Sequence, residues 1–295
     1  MYPQDVQAVE LLLESEALPS SYGEDANQWF LPAIHELIEK LELHNSETYL
    51  LGINGAQGTG KSTLARLIEN VVQARGYKVA NLSIDDFYST RKSRSELGDA
   101  VHPLFHTRGV PGTHDVELLL STIEKLGSDS GQIQLPRFDK ANDDRVPESE
   151  FDLIKAPVNL IILEGWFIGV DAQETAELSA PINKLELEED KSGDWRLRVN
   201  ECLQQSYQPV FRLLDSLIML KAPSFEQVYE WRGLQERKLA MTSPDSSGVM
   251  NETQLQRFIQ HYERLTRHCL ATLPGIADIV FQLDDKHRVV SRSDN

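Results

Sequence analysis

A chain of 295 residues, 40% hydrophobic and 25% charged, has the composition of a folded globular protein with a large core, in one elaborated domain or two. Its formal charge of −17 at pH 7 excludes broad contact with nucleic acid or anionic lipid, because both require phosphate to be neutralised by Lys and Arg. Only Cys202 and Cys269 are present, which gives neither a disulfide framework nor a metal-ligand spacing.

The first Lys or Arg is Lys40, so the N-terminal stretch lacks the basic region of a secretory signal and the Arg-rich character of a transit peptide. No apolar run approaches the roughly 18 residues of a membrane span, and a soluble, cytoplasmic protein is expected. Residues 1–47 carry apolar periodicity around Val6–Leu13 and Trp29–Leu41, separated by the turn-like "LPSSYGEDAN". They read as an N-terminal helical extension to a domain formed by residues 48–295.

Tyr49-Leu50-Leu51 opens an apolar strand that runs into "GINGAQGTGKSTLARL" at Gly52. The spacing of Gly55, four residues, then Gly60-Lys61-Ser62 is the Walker A pattern. In it the backbone N–H groups of Gly55, Ala56, Gln57, Gly58, Thr59 and Gly60 cradle phosphate oxygens, Lys61 reaches the terminal phosphates and Ser62 binds Mg²⁺. Thr63 is near enough to add a hydroxyl to the nucleotide. Leu64, Leu67, Ile68, Val71 and Val72 then repeat at helical spacing, with Gly76 as the stop. Strand, glycine loop and helix follow in the order the motif requires.

Four further apolar runs continue the plan. "KVANLSI" ends in Asp85-Asp86, "VNLIIL" in Glu164, "SLIML" in Lys221, and "ADIVFQL" closes the set. Short buried runs alternating with helical patterns predict an α/β fold, a mostly parallel doubly wound sheet of the P-loop NTPase type with helices on both faces. Ligands of such sheets gather at the carboxyl ends of the strands. Between these runs, residues 86–150, rich in Gly, Pro, His and charge, read as a long loop of functional type. Residues 171–194, with "LELEEDKSGD", read as a solvated acidic insertion.

Phosphoryl transfer needs held phosphates, a placed metal, an aligned acceptor oxygen and stabilised charge. Lys61 and Ser62 meet the first two needs, and Glu164 stands where an acid orients Mg²⁺. Asp85, at the end of its strand, is placed to accept the proton of a substrate hydroxyl; a turn-capping role for Asp85 or Asp86 is the alternative. "HTRGVPGTHD" offers Arg108 and His114, and "LPRFDKANDDR" offers Arg137 and Lys140, to an anionic small-molecule substrate that an acidic protein must bind in a locally basic pocket. "YEWRGLQERKLA" carries Arg232 and Arg237 on a helical pattern, suited to a lid over the phosphates.

The ordered set "GAQGTGKST", "SIDDFY", "RGVPGTHD", "LPRFDK", "LEGWFIG" and "WRGLQE" resembles the D-glycerate 3-kinase family of plants and its bacterial and fungal kinase-like relatives. More distantly it is similar to uridine kinase, phosphoribulokinase and pantothenate kinase. The resemblance implies ATP with Mg²⁺, a small hydroxylated acceptor, most simply D-glycerate, and Asp85 rather than Asp86 as the base. Kinases of a nucleoside, a pantothenate-like acid or a sugar phosphate are the alternatives within that chemistry. A switch or metallochaperone GTPase is the alternative class, through "NKLE" at Asn183 and "DKSG" at Asp190. Neither follows a buried strand, and their order is the reverse of a GTPase's, so ATP is the expected nucleotide.

Overall fold

Three central apolar runs alternate in which face they cover. Tyr49, Leu51 and Ile53 enter one core while Leu50 enters the other. Leu160 and Ile162 oppose Ile161 and Leu163, and Ile218 and Leu220 oppose Leu217 and Met219. Such strands are apolar on both faces because helices cover both faces of the sheet. The computed structural model describes residues 2–44, 47–128, 130–242 and 250–295.

In chain order, α1 (Pro3–Ser15), α2 (Ser20–Asp25) and α3 (Leu31–Leu43) precede β1 (Tyr49–Gly55), the glycine loop and α4 (Lys61–Gln73). β2 (Val79–Ser83) leads into a 3₁₀ turn at Ile84–Phe87, α5 (Arg91–Ala100) and α6 (Val116–Ser128). Then come β3 (Gly131–Leu135), β4 (Phe138–Asp139), β5 (Asp144–Arg145), β6 (Asp152–Ala156) and β7 (Leu160–Gly165). After α7 (Lys184–Glu189), α8 (Asp194–Cys202) and α9 (Gln208–Phe211), the chain adds β8 (Ser216–Lys221), α10 (Phe225–Thr242) and α11 (Glu252–Thr272). It closes with β9 (Ile279–Leu283) and β10 (Val289–Asp294).

The main sheet has the order β10-β9-β8-β1-β7-β2. It is parallel except at the antiparallel edge pair of β9 and β10. Strand β1 lies between β7 and β8, so the order reverses at its carboxyl end and opens a crevice there. The P-loop architecture expected from the sequence is present.

Two stretches differ from expectation. Residues 86–150 are not a structureless loop but hold α5, α6, β3, β4 and β5; β4 pairs with β5, and β3 pairs with β6 just beyond the stretch. Helix α5 escapes detection because it is polar and centred on a charge. Arg94, 2% exposed, donates to the carbonyls of Ser89, His106 and Asp143 and pairs with the Asp143 carboxylate at 3.0 Å. The acidic stretch is only partly solvated: Glu186 and Asp190 are buried. Arg264 pairs with Glu186 at 2.6 Å and Arg196 with Asp190 at 2.9 Å, which offsets the desolvation of both acids.

The N-terminal helices share a core with the sheet. Phe30, Ile34, Leu37 and Leu41 are buried in the same cluster as Leu64, Ile68 and Leu51. Asp5, fully buried, bridges His35 of α3 and Arg75 beyond α4 at 2.8 and 2.6 Å. Asp25 accepts from Arg288 beside β10 at 2.9 Å.

Candidate active site

At the end of β1 the backbone turns through the glycine loop into α4. Gly60, the N-cap of α4, has φ +87°, a left-handed conformation that glycine adopts without steric cost. A side chain at Gly55 would collide with Thr59. The amide groups of the first turn of α4 have no partner within the helix and carry the positive end of its dipole, so they suit phosphate.

Below this turn, Ser62 Oγ donates to Glu164 Oε1 at 2.9 Å, and Lys61 Nζ stands 3.9 Å from Glu164 Oε2. Glu164 is buried at the end of β7, and its Oε2 has no hydrogen-bond partner. A hydroxyl and a carboxylate in contact, with one buried oxygen uncommitted, fit a hard divalent cation that retains much of its water.

Across the crevice, the 3₁₀ turn after β2 presents Asp85. Its Oδ1 accepts from the Tyr88 phenol at 2.7 Å and its Oδ2 from Lys140 Nζ at 2.6 Å. Burial opposes its charge, yet Lys140 and Lys61, with these two hydrogen bonds, hold the carboxyl well below the usual range. The neighbouring Asp86 faces elsewhere, accepting from Arg137 and from the Phe138 amide. Burial pushes the Asp86 carboxyl up despite Arg137.

Lys61, Asp85, Arg108, Lys140 and Arg232 converge on one cleft of about 350 Å³, with Gln57, Tyr88, Trp166 and Tyr262 also on its walls. Four cations and one carboxylate share its lining, which is the local basic pocket required in an acidic chain. Arg108 pairs with Asp143, and its carbonyl accepts from Tyr262 at 2.9 Å. Arg232 pairs with Glu236 on α10 and lies 5.9 Å from the Phe258 ring centre.

Other expected residues are not brought to this cleft. His114 is buried behind Tyr88, its ring stacked at 4.6 Å and its Nδ1 bonded to Tyr207 at 2.8 Å. Burial pushes its pKa down to about 3, so it is a neutral packing element rather than a cation for substrate. Arg137 turns into an adjoining cleft of about 790 Å³, which Ser62 and Glu164 also line, and is held there by Asp86 and Asp152 at 2.8 and 2.7 Å. Arg237 faces a groove between α10 and α11 with Tyr229 and Leu255, one turn beyond Arg232. Thr63 Oγ1 donates to Glu16, at the end of α1, at 3.0 Å, so its hydroxyl is turned to the N-terminal helices.

The reading from sequence missed Tyr88, Trp166, Phe258 and Tyr262. Tyr88 follows Asp85 by three residues, a spacing that a 3₁₀ turn brings onto one side. The aromatic residues of α11 carry no such local signal.

The GTPase-like stretches are structural. Asn183 caps α7, accepting from the Glu186 amide at 3.0 Å, and Asp190 accepts from the amides of Trp195 and Arg196. Among the described residues no helix is long and apolar enough to cross a membrane.

A family model described as methylmalonyl Co-A mutase-associated GTPase MeaB matches residues 24–108, the stretch that holds β1, the glycine loop, α4 and β2. The protein named uncharacterized kinase mug58 from Schizosaccharomyces pombe is 32% identical over 238 residues, covering 78% of this chain and 83% of its own. Chloroplastic D-glycerate 3-kinase of Arabidopsis thaliana is 26% identical over 262 residues, 83% of this chain and 54% of that protein. The solved structure of D-glycerate 3-kinase from Cryptococcus neoformans shares the fold, with a TM-score of 0.73 at 21% identity over 91% of this chain and 99% of that one. The chain therefore belongs to the kinase family that includes D-glycerate 3-kinase, within the P-loop group of small-molecule kinases.

Proposed function

We propose that this kinase uses ATP to phosphorylate a hydroxyl of a small organic acid, converting D-glycerate to 3-phosphoglycerate. The observation that carries the reading is the single cleft in which Asp85 stands among Lys61, Arg108, Lys140 and Arg232. An acceptor carboxylate engages Arg108 and Lys140, which leaves its hydroxyl toward Asp85. Asp85 takes the hydroxyl proton as the oxygen bonds to the γ-phosphorus and the bond to the β-phosphate oxygen breaks, releasing ADP. Lys61 and Arg232 stabilise the charge spread over the transferring group. Ser62 and Glu164 are the residues that would hold Mg²⁺, which when bound neutralises phosphate charge.

The test is a panel of acceptors incubated with ATP and Mg²⁺ and read by mass spectrometry for a phosphorylated product. D-glycerate should be converted with a kcat/KM about ten- to a hundred-fold above that of glycerol, as expected when one charge-assisted contact is lost. Equal use of glycerol, or preference for a nucleoside, sinks the acidic-acceptor reading.

A further inference from the structure

Lys140 occupies a turn whose backbone is fixed, while its side chain is held only at its tip, by Asp85. The turn joins β4 to β5 and is folded around Asp139, which accepts from the amides of Ala141 and Asn142 at 2.8 and 3.1 Å. Asp143 anchors its far end to Arg94 and Arg108. The Arg91 amide donates to Asp144, and the Phe138 amide to Asp86. From this frame Lys140 extends an exposed side chain, 60% accessible, whose ammonium alone reaches Asp85. Rotation about its own bonds therefore suffices to make or break that contact, with no movement of the hairpin.

The contact has a chemical cost for the reaction. Tyr88 is a neutral donor held in the core, but Lys140 places a full positive charge on the oxygen opposite the Tyr88 bond. A carboxylate so paired is a poor proton acceptor, since a proton arriving on it must compete with the ammonium. Lys61, the second nearby cation, is committed to phosphate once nucleotide is bound. What then decides whether Asp85 can act is the position of Lys140.

We propose that the Lys140–Asp85 ion pair is a lock on the base, opened by the carboxylate of the acceptor, which takes Lys140 as its own partner. An anionic acceptor frees Asp85 as it binds. Water and neutral alcohols leave the pair closed, so ATP is protected from hydrolysis between turnovers. Lys140 is then a specificity-determining residue in a sense beyond attraction: it couples recognition of one group on the acceptor to activation of the residue facing another. The inference rests on Asp85 being the base, as in the proposed function.

The unlocked reaction is ordinary ATP hydrolysis. A water oxygen bonds to the γ-phosphorus, the β–γ bridging bond breaks, Asp85 receives the water's proton, and ADP and inorganic phosphate leave. Acceptor-free phosphate release should therefore rise about ten-fold in Lys140→Met, the order of one charge-assisted hydrogen bond. The rise should be smaller in Lys140→Arg, which keeps a cation beside Asp85, and should be lost in Lys140→Met/Asp85→Asn. With acceptors present, Lys140→Met should raise KM for D-glycerate while raising kcat for glycerol.

A structural or purely attractive role for Lys140 moves neither acceptor-free hydrolysis nor glycerol turnover upward. Unchanged or lower values of both in Lys140→Met overturn the lock. If wild type phosphorylates no small acid but hydrolysis still rises in Lys140→Met and falls with Asp85→Asn, Lys140 restrains Asp85 but its release by an acceptor carboxylate is overturned together with the acidic acceptor. If D-glycerate is phosphorylated and hydrolysis does not rise, the acceptor stands and the lock falls.

Discussion

Tyr88 holds Asp85 from the core side, donating its phenol to Oδ1 at 2.7 Å while its ring stacks on His114 at 4.6 Å. The carboxylate is thus aimed by a side chain that is itself fixed by packing. Tyr88→Phe keeps the stack and removes the aim, and should lower kcat about ten-fold, the order of a single hydrogen bond. Asp85→Asn removes the proton acceptor and should cost roughly two to four orders of magnitude in acceptor phosphorylation. ATP affinity by calorimetry should be retained in both. If it collapses with either substitution, the residue serves nucleotide binding or folding rather than the acceptor.

Lys61→Ala should abolish turnover, by roughly two to three orders of magnitude or more, because the backbone cradle alone does not neutralise charge developing on the terminal phosphate. ATP should be used in preference to GTP, since Asn183 and Asp190 are spent on helix capping and a buried ion pair. Steady-state rates with the two nucleotides check this, and equal use contradicts it.

Arg108 and Arg137 separate acceptor binding from support. Arg108→Ala should raise KM for D-glycerate by about ten- to a hundred-fold with little change for ATP, as expected for one charge-assisted contact. Arg137→Ala leaves Asp86 half-buried without its guanidinium, and should lower stability by about 1–2 kcal/mol while KM for D-glycerate stays within about two-fold. Initial rates and thermal melts on both variants test the division. A large KM effect from Arg137 would mean that the neighbouring cleft takes part in acceptor binding.

Stability should depend on pH through His114. Its pKa is about 3 in the folded chain against an ordinary 6.5, so below pH 6.5 the unfolded chain binds a proton that the folded chain refuses. Stability present above pH 6.5 is therefore lost progressively as pH falls toward 3. Asp85, also held low, adds a loss of the same sign beginning only near its ordinary 3.8. Melting temperature should fall less steeply between pH 6 and 4 in His114→Gln, with the remaining slope from His261, whose burial pushes its pKa down to about 4; an unchanged slope would assign it to other groups.

The parts of the fold legible in the sequence are those made by burying apolar runs on two faces: β1, β2, β7, β8 and β9. Strand β10 is an edge with only Val289 buried, so "VVSRSD" has no apolar run to show. Helix α5 is organised by a buried guanidinium, and Arg94 in "RKSRSELGDA" is indistinguishable from its exposed neighbours until Asp143 is placed beside it. The site follows the same division. Lys61, Ser62, Asp85 and Glu164 stand at the ends of strands that the sequence locates, and the topology carries them together. Arg108 and Arg137 lie in equally charged, proline-bearing stretches, and only the packing of β4 and β5 turns one into the cleft and the other away. His114 reads as a polar site residue because nothing local marks the aromatic cage of Tyr88, Phe167 and Tyr207 that closes on it.

The central place of β1 has a consequence for how the chain comes off the ribosome. Its partners are distant in sequence: Tyr49 pairs with Leu160 and Leu51 with Ser216. During synthesis at about 5–20 residues per second, "YLLGING" emerges many seconds before either neighbour exists. Through that interval it is an apolar segment with two open edges, the kind of species that pairs with other chains. Helices α1 to α3 are translated before β1, and their buried residues join the same cluster as Tyr49, Leu51 and Ile53, with α4 packed on β1. Burial of that strand face is therefore completed only once α4, which follows the glycine loop, has also been made.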